Sequence, residues 1–63
     1  MKLNKRKTMI AQAKAQLSVS AICKAAGTAP QVYRRAMNKG CRPETAGKIA
    51  AALNVPLEDI LED

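Results

Sequence analysis

Three prolines, Pro30, Pro43 and Pro56, each stand at the head of a run with helical spacing, and they leave this chain few alternatives to a set of short helices. Proline fixes φ and lacks an N–H, which suits the first turn of a helix and disrupts a helix interior or a central strand. Gly27 and Asn54 mark opposite ends, because both residue types take the left-handed conformation that terminates a helix cheaply. Between these stops the β-branched residues are scattered, and no run alternates apolar and polar over several positions. The chain therefore reads as all-α. Five short helices are expected over about 4–16, 18–26, 29–38, 43–53 and 56–62, in one domain covering 1–63 with no repeat, low-complexity segment or long linker.

Helical wheels assign each segment an inner face. In the first, Leu3, Met9, Ile10, Ala13 and Leu17 fall within one arc, with Lys5, Lys7, Gln12 and Lys14 largely outside it. Ser18 is a good N-cap for the second helix, whose Ile22, Cys23 and Ala26 share a side. The third separates cleanly. Pro30, Gln31, Arg34, Arg35 and Asn38 lie between roughly 0° and 140°, and Val32, Tyr33, Ala36 and Met37 between roughly 200° and 340°. In the fourth, Glu44 suits the positive end of the helix dipole, and Ala46, Ile49, Ala50 and Leu53 form the apolar stripe. Gly47 interrupts that helix at a cost of about 1 kcal/mol relative to Ala, which points to close helix packing or to close approach of a partner. Val55, Ile60 and Leu61 are expected to pack the last helix onto the rest, with Ile60 and Leu61 as core first and dimer surface second.

Composition narrows the function classes. Twelve of the apolar residues are alanine, so the core is expected to be thin. No run approaches the roughly 18 apolar residues of a membrane helix. The start M-K-L-N-K-R-K carries no apolar stretch behind its charges, so a cytoplasmic location without membrane association is expected. There is no histidine, and the two cysteines, Cys23 and Cys41, lack metal-ligand spacing, so no metal, cofactor or catalytic residue is expected. Counting alone leaves a disulfide open, but an intracellular chain argues for free thiols, Cys23 in the core and Cys41 in a loop. Charge is uneven. Residues 1–48 hold all eleven Lys and Arg with one acid, Glu44, for a net +10, whereas residues 49–63 hold four acids and no base. Such asymmetry suggests one face for a polyanion and one end turned from it.

Ser18 to Met37 is laid out as two short helices joined by a tight turn at Gly27, the helix-turn-helix arrangement in which the first helix braces the second against the DNA major groove. The stretch I-C-K-A-A-G-T-A-P-Q-V-Y-R-R-A-M-N-K-G resembles the helix-turn-helix of the Cro and phage-repressor (XRE-type) family. R-P-E-T-A-G-K-I-A-A-A-L-N-V-P-L-E-D-I-L is similar to the two helices that follow it there, so the likeness spans about Ser18 to Leu61. It implies a lambda-repressor-like five-helix bundle that binds double-stranded operator DNA, commonly as a homodimer, as a small phage or mobile-element repressor. At this length no separate ligand domain is expected, and hence no small-molecule ligand.

By position, the likeness implies base reading by Pro30, Gln31, Val32 and Arg35, with Arg34 beside them, and phosphate contacts from Ser18, Val19, Asn38, Lys39 and Arg42. The chemistry agrees: Gln can pair with adenine, Arg with guanine, and Val can meet a thymine methyl. Helix N-termini and Lys or Arg near phosphate fix register without reading sequence. The chain departs from the family at Val19, where many members have Gln, at Ala29, where Ser or Thr commonly caps, and at Pro30, which cannot donate to a base edge. Bland readings compete. Tyr33 reads as core rather than a stacking platform, and Lys2, Lys5, Arg6 and Lys7 as a solvated or frayed end rather than an arm. Arg34 and Arg35 alone would be an ordinary solvated face; within this turn, beside Gln31, they read as DNA contacts. The rival function is a protein-interaction module, antitoxin-like or an anti-repressor partner, working through the acidic, apolar-tipped C-terminus.

Overall fold

In the computed structural model, which describes residues 1–62, the chain is all-α. Its four α-helices, among the described residues, are α1 (Lys5–Ala15), α2 (Val19–Ala26), α3 (Pro30–Asn38) and α4 (Pro43–Leu53). Each boundary has a local cause. The Asn4 side chain accepts from the Lys7 amide at 2.8 Å to start α1, and Gln16 ends it in the left-handed conformation. Ser18 Oγ accepts from the Ala21 amide at 3.1 Å to start α2. At its end Gly27 has φ 71°, and the Thr28 amide donates to the Cys23 carbonyl at 2.9 Å, the 6→1 bond of a Schellman closure. Asn54, at φ 58°, closes α4 in the same way. Pro30 and Pro43 open α3 and α4, and neither helix has a side-chain cap.

The core is small and built mostly from α2, α3 and α4. Ile22, Tyr33, Ile49 and Leu53 are fully buried together with Leu3 and Ile60 from the two ends of the chain, and alanines fill the gaps. α2 packs most extensively on α4, and α3 lies on α2. α1 rests on α4 and on the turn that follows it. The radius of gyration, 9.8 Å, is what compaction of so short a chain gives.

Three expectations are corrected. The fifth helix, 56–62, is a single 3₁₀ turn over Leu57–Asp59. Beyond it the backbone is drawn out to pair with the start of the chain. The Asn4 amide donates to the Ile60 carbonyl at 2.7 Å, Leu61 bridges antiparallel to Leu3, and the Glu62 amide donates to the Lys2 carbonyl at 3.0 Å. Helical bonding and these bridges need the same groups, and the bridges win. The start of the chain is accordingly neither frayed nor a free arm: Lys2 pairs with Glu62 at 3.8 Å, and Lys7 Nζ donates to the Leu61 carbonyl at 3.3 Å.

The inner face of α1 also differs. Thr8 and Ala11 point inward, while Met9 and Ile10 are 57% and 48% exposed and Ala13 is exposed. The Thr8 hydroxyl donates to the Asn4 carbonyl at 2.7 Å, so its burial leaves no unsatisfied group. α1 packs against other elements through a narrow stripe of small side chains, and its larger apolar residues are left outside. Gly47, third, is not a site of close helix packing: a methyl built on it would meet nothing within 4 Å.

Candidate functional site

α3 presents two different faces because its apolar residues sit on one arc. Tyr33 and Ala36 are buried, while Gln31, Arg34, Arg35 and Asn38 are exposed. With about 100° between successive residues, Gln31 and Asn38 lie opposite the buried pair, and the two guanidinium groups straddle them. Arg34 leans toward the Met37 side and Arg35 toward the Val32 side. The wheel put Val32 in the packing arc, but it is 39% exposed at that arc's edge. Pro30 is exposed at the first position, and Ala29 supplies no side-chain cap; the Val32 amide instead donates back to the Ala29 carbonyl at 3.0 Å. Thr28 does not serve as the cap either; its hydroxyl is buried and finds no partner among the described residues.

The C-terminal end of α3 is shaped by an uncommon hydrogen-bond closure. The Lys39 and Gly40 amides both donate to the Arg35 carbonyl at 2.8 Å. Gly40 would ordinarily bond the Ala36 carbonyl, which instead accepts from the Leu3 amide at 3.0 Å. Gly40 reaches this geometry at φ 117°, and a methyl there would lie 3.1 Å from the Met1 carbonyl oxygen. The turn sends the chain back along α3, so that Val32, Arg35, Gly40, Cys41, Arg42 and Thr45 line one groove. Sequence reasoning missed Thr45. Its signal was its place in the first turn of a helix opened by Pro43, where side chains and amides face whatever approaches the helix end.

The candidate residues therefore divide into groups. Val32, Arg35 and Arg42 converge on the groove, and Gln31, Arg34 and Asn38 share the adjoining outer face of α3. Lys39, exposed, follows directly at the helix end. Ser18 and Val19 stand apart, at the far end of α2, about 12 Å along the helix from the Gly27 turn. The Ser18 hydroxyl already accepts from Ala21 but retains a proton to donate. Val19 is half-buried with its side chain against the core, so only its backbone is available to a ligand.

Basic groups dominate this region. Among the described residues Glu44 lies 3.9 Å from Arg42, and both side chains are largely exposed, at 69% and 85%. An exposed pair of this kind contributes only about 0.2–1 kcal/mol, so Arg42 can exchange Glu44 for a stronger anion at little cost. Cys41 and Cys23 are free thiols, Cys23 buried and Cys41 partly exposed in the loop. Among the described residues no helix is long and apolar enough to cross a membrane. Comparison with known proteins finds no matching family model, no matching curated protein and no matching solved structure.

Proposed function

We propose that this chain is a sequence-specific double-stranded DNA-binding transcriptional regulator of the Cro and phage-repressor type. In this reading α2 and α3 form a helix-turn-helix, and α3 enters the major groove of an operator. One observation carries it. The outer face of α3 is an exposed arc of two amides and two guanidinium groups without an acid, on a helix held from behind by buried Tyr33 and Ala36. An ordinary solvated helix mixes both charge signs, whereas this face offers donors suited to guanine and adenine edges.

Roles follow from position. Gln31 pairs with adenine, Arg34 and Arg35 with guanine, and Val32 meets a thymine methyl. Pro30 contributes shape only. Asn38, Lys39 and Arg42 hold phosphates beside the groove, and Ser18 with the Val19 amide holds a second phosphate at the start of α2. The protein occupies its promoter as a repressor in the compartment where the DNA lies. A pair of copies related by a two-fold axis would read half-sites about 34–36 Å apart.

Fluorescence anisotropy against an operator selected from random duplexes tests this. Arg35→Ala is expected to lose about 1–3 kcal/mol of discrimination at one base pair. Lys39→Ala is expected to weaken binding to all duplexes about equally and to lower the salt slope by about 1. If both variants bind operator and random duplexes as the parent does, the assigned face is wrong. If the parent binds no duplex at low salt, the function is.

A further inference from the structure

The outer face of α1 is a feature of the molecule that the DNA-binding reading leaves unused. Met9 and Ile10, 57% and 48% exposed, lie with Ala13 along one shallow groove whose rim carries Lys5 and Arg6. Met9 and Ile10 are adjacent large apolar side chains on a helix that buries Thr8 and Ala11 instead. Scattered single apolar residues on a surface are ordinary, but a contiguous apolar strip rimmed by charge marks an interaction site. We propose that this face docks an acidic segment of another protein, one that inserts apolar anchors between Met9, Ile10 and Ala13 and sets carboxylates against Lys5 and Arg6.

Charge selects that occupant. α1 reads K-R-K-T-M-I-A-Q-A-K-A, with four bases and no acid. Two copies of this face, aligned in either direction, would set cations against cations. The chain's own acidic segment does not line this groove: Glu62 is paired to Lys2, Ile60 is buried, and Asp59 sits with Lys7, Ile10 and Lys14 in the neighbouring one. A duplex would satisfy Lys5 and Arg6 but offers nothing to the apolar strip. A lipid surface favours a wide face with Trp, Phe or Leu, and α1 has none of these. A helix carrying leucines at i, i+3, i+4 and i+7 with glutamates beside them satisfies both halves of the site.

The test uses the whole protein and two synthetic 18-residue helical peptides, one with leucines flanked by glutamates and the other with lysines in place of the glutamates. The acidic peptide is expected to bind, with amide shifts in nitrogen-edited spectra concentrated on Lys5–Ala15, and the lysine peptide is not. The double variant Met9→Ala/Ile10→Ala and the double variant Lys5→Glu/Arg6→Glu should each weaken the acidic peptide at least tenfold while keeping the parent's circular dichroism; the four side chains are exposed. Duplex binding by Met9→Ala/Ile10→Ala should stay within twofold of the parent. Five results overturn the proposal. Four are no binding of the acidic peptide, shifts centred on another helix, self-association in ultracentrifugation that Ile10→Glu abolishes, and Ile10-dependent binding to phosphatidylglycerol vesicles without peptide binding. A fall in duplex affinity with Met9→Ala/Ile10→Ala also overturns it, since the face would then belong to the nucleic-acid site.

Discussion

Tyr33 supplies most of the inner bulk of α3, and its hydroxyl is buried without a hydrogen-bond partner among the described residues. A buried polar group in that condition costs about 1–3 kcal/mol in desolvation. Burial pushes its pKa above the ordinary value of 10.0, and the nearby Cys23 thiol pushes it further in the same direction. The consequence for pH has a definite sign. The neutral phenol is favoured in the folded state, so the unfolded chain ionises first as the pH passes 10.0, and stability falls from there upward. Tyr33→Phe keeps the ring and removes the hydroxyl. Urea unfolding at pH 7 should show the variant more stable by about 1 kcal/mol. Between pH 9.5 and about 11 the parent should lose stability more steeply than the variant, because other groups titrate in both but the phenol only in one. Equal slopes would show that the hydroxyl is solvated in the folded protein. The aromatic ring's place in the core was legible from the wheel; its unsatisfied hydroxyl was not, because no periodicity reports what a side-chain tip will meet.

Helix limits were legible wherever a side chain or a proline enforces them, as at Ser18, Gly27, Pro30, Pro43 and Asn54. The outer face of α3 was legible for the same kind of reason, since its apolar and polar residues occupy separate arcs. α1 defeated the wheel because its apolar residues are small or spread around the helix, and what it faces was decided by the narrow space beside α4. The fifth helix failed because its backbone groups are claimed by Lys2 and Asn4, far away in sequence. Two elements remain below their attainable stability. α3 starts at Ala29 with no side-chain acceptor for its first amides, so Ala29→Ser should add about 1 kcal/mol. Gly47 has open space where a methyl would go, so Gly47→Ala should add about 1 kcal/mol through helix propensity. In a domain of this size each corresponds to a rise in Tm of about 4–8 °C, measurable by calorimetry. A lower Tm for Gly47→Ala would mean that α4 is closer to its neighbours than its backbone placement indicates.

At the scale of the whole molecule, the chain's two ends hold the thin core closed. Residues 1–4 run between the turn after α3 and the segment after the 3₁₀ turn, and they bond to both. The Met1 carbonyl accepts from the Cys41 amide at 2.7 Å, the Leu3 amide donates to Ala36, and the Asn4 amide to Ile60. Leu3 is fully buried at the centre of this tie. The same tie brings acidic Glu62 against the basic start of the chain and leaves the excess positive charge elsewhere, including the exposed face of α3. A chain of 63 residues has a total stability of only about 3–9 kcal/mol. Truncating a buried leucine costs about 2–5 kcal/mol, a large share of that total. Leu3→Ala should therefore unfold at much lower urea than the parent, and it should lose duplex binding near its own midpoint, because α3 is anchored through the same residues. Lys2→Ala removes only an exposed ion pair, worth about 0–1 kcal/mol, and should unfold almost as the parent does. Comparing the two midpoints separates the packing role of this segment from its charge. If Lys2→Ala were the more damaging of the two, electrostatics and not Leu3 burial would be what holds the ends together.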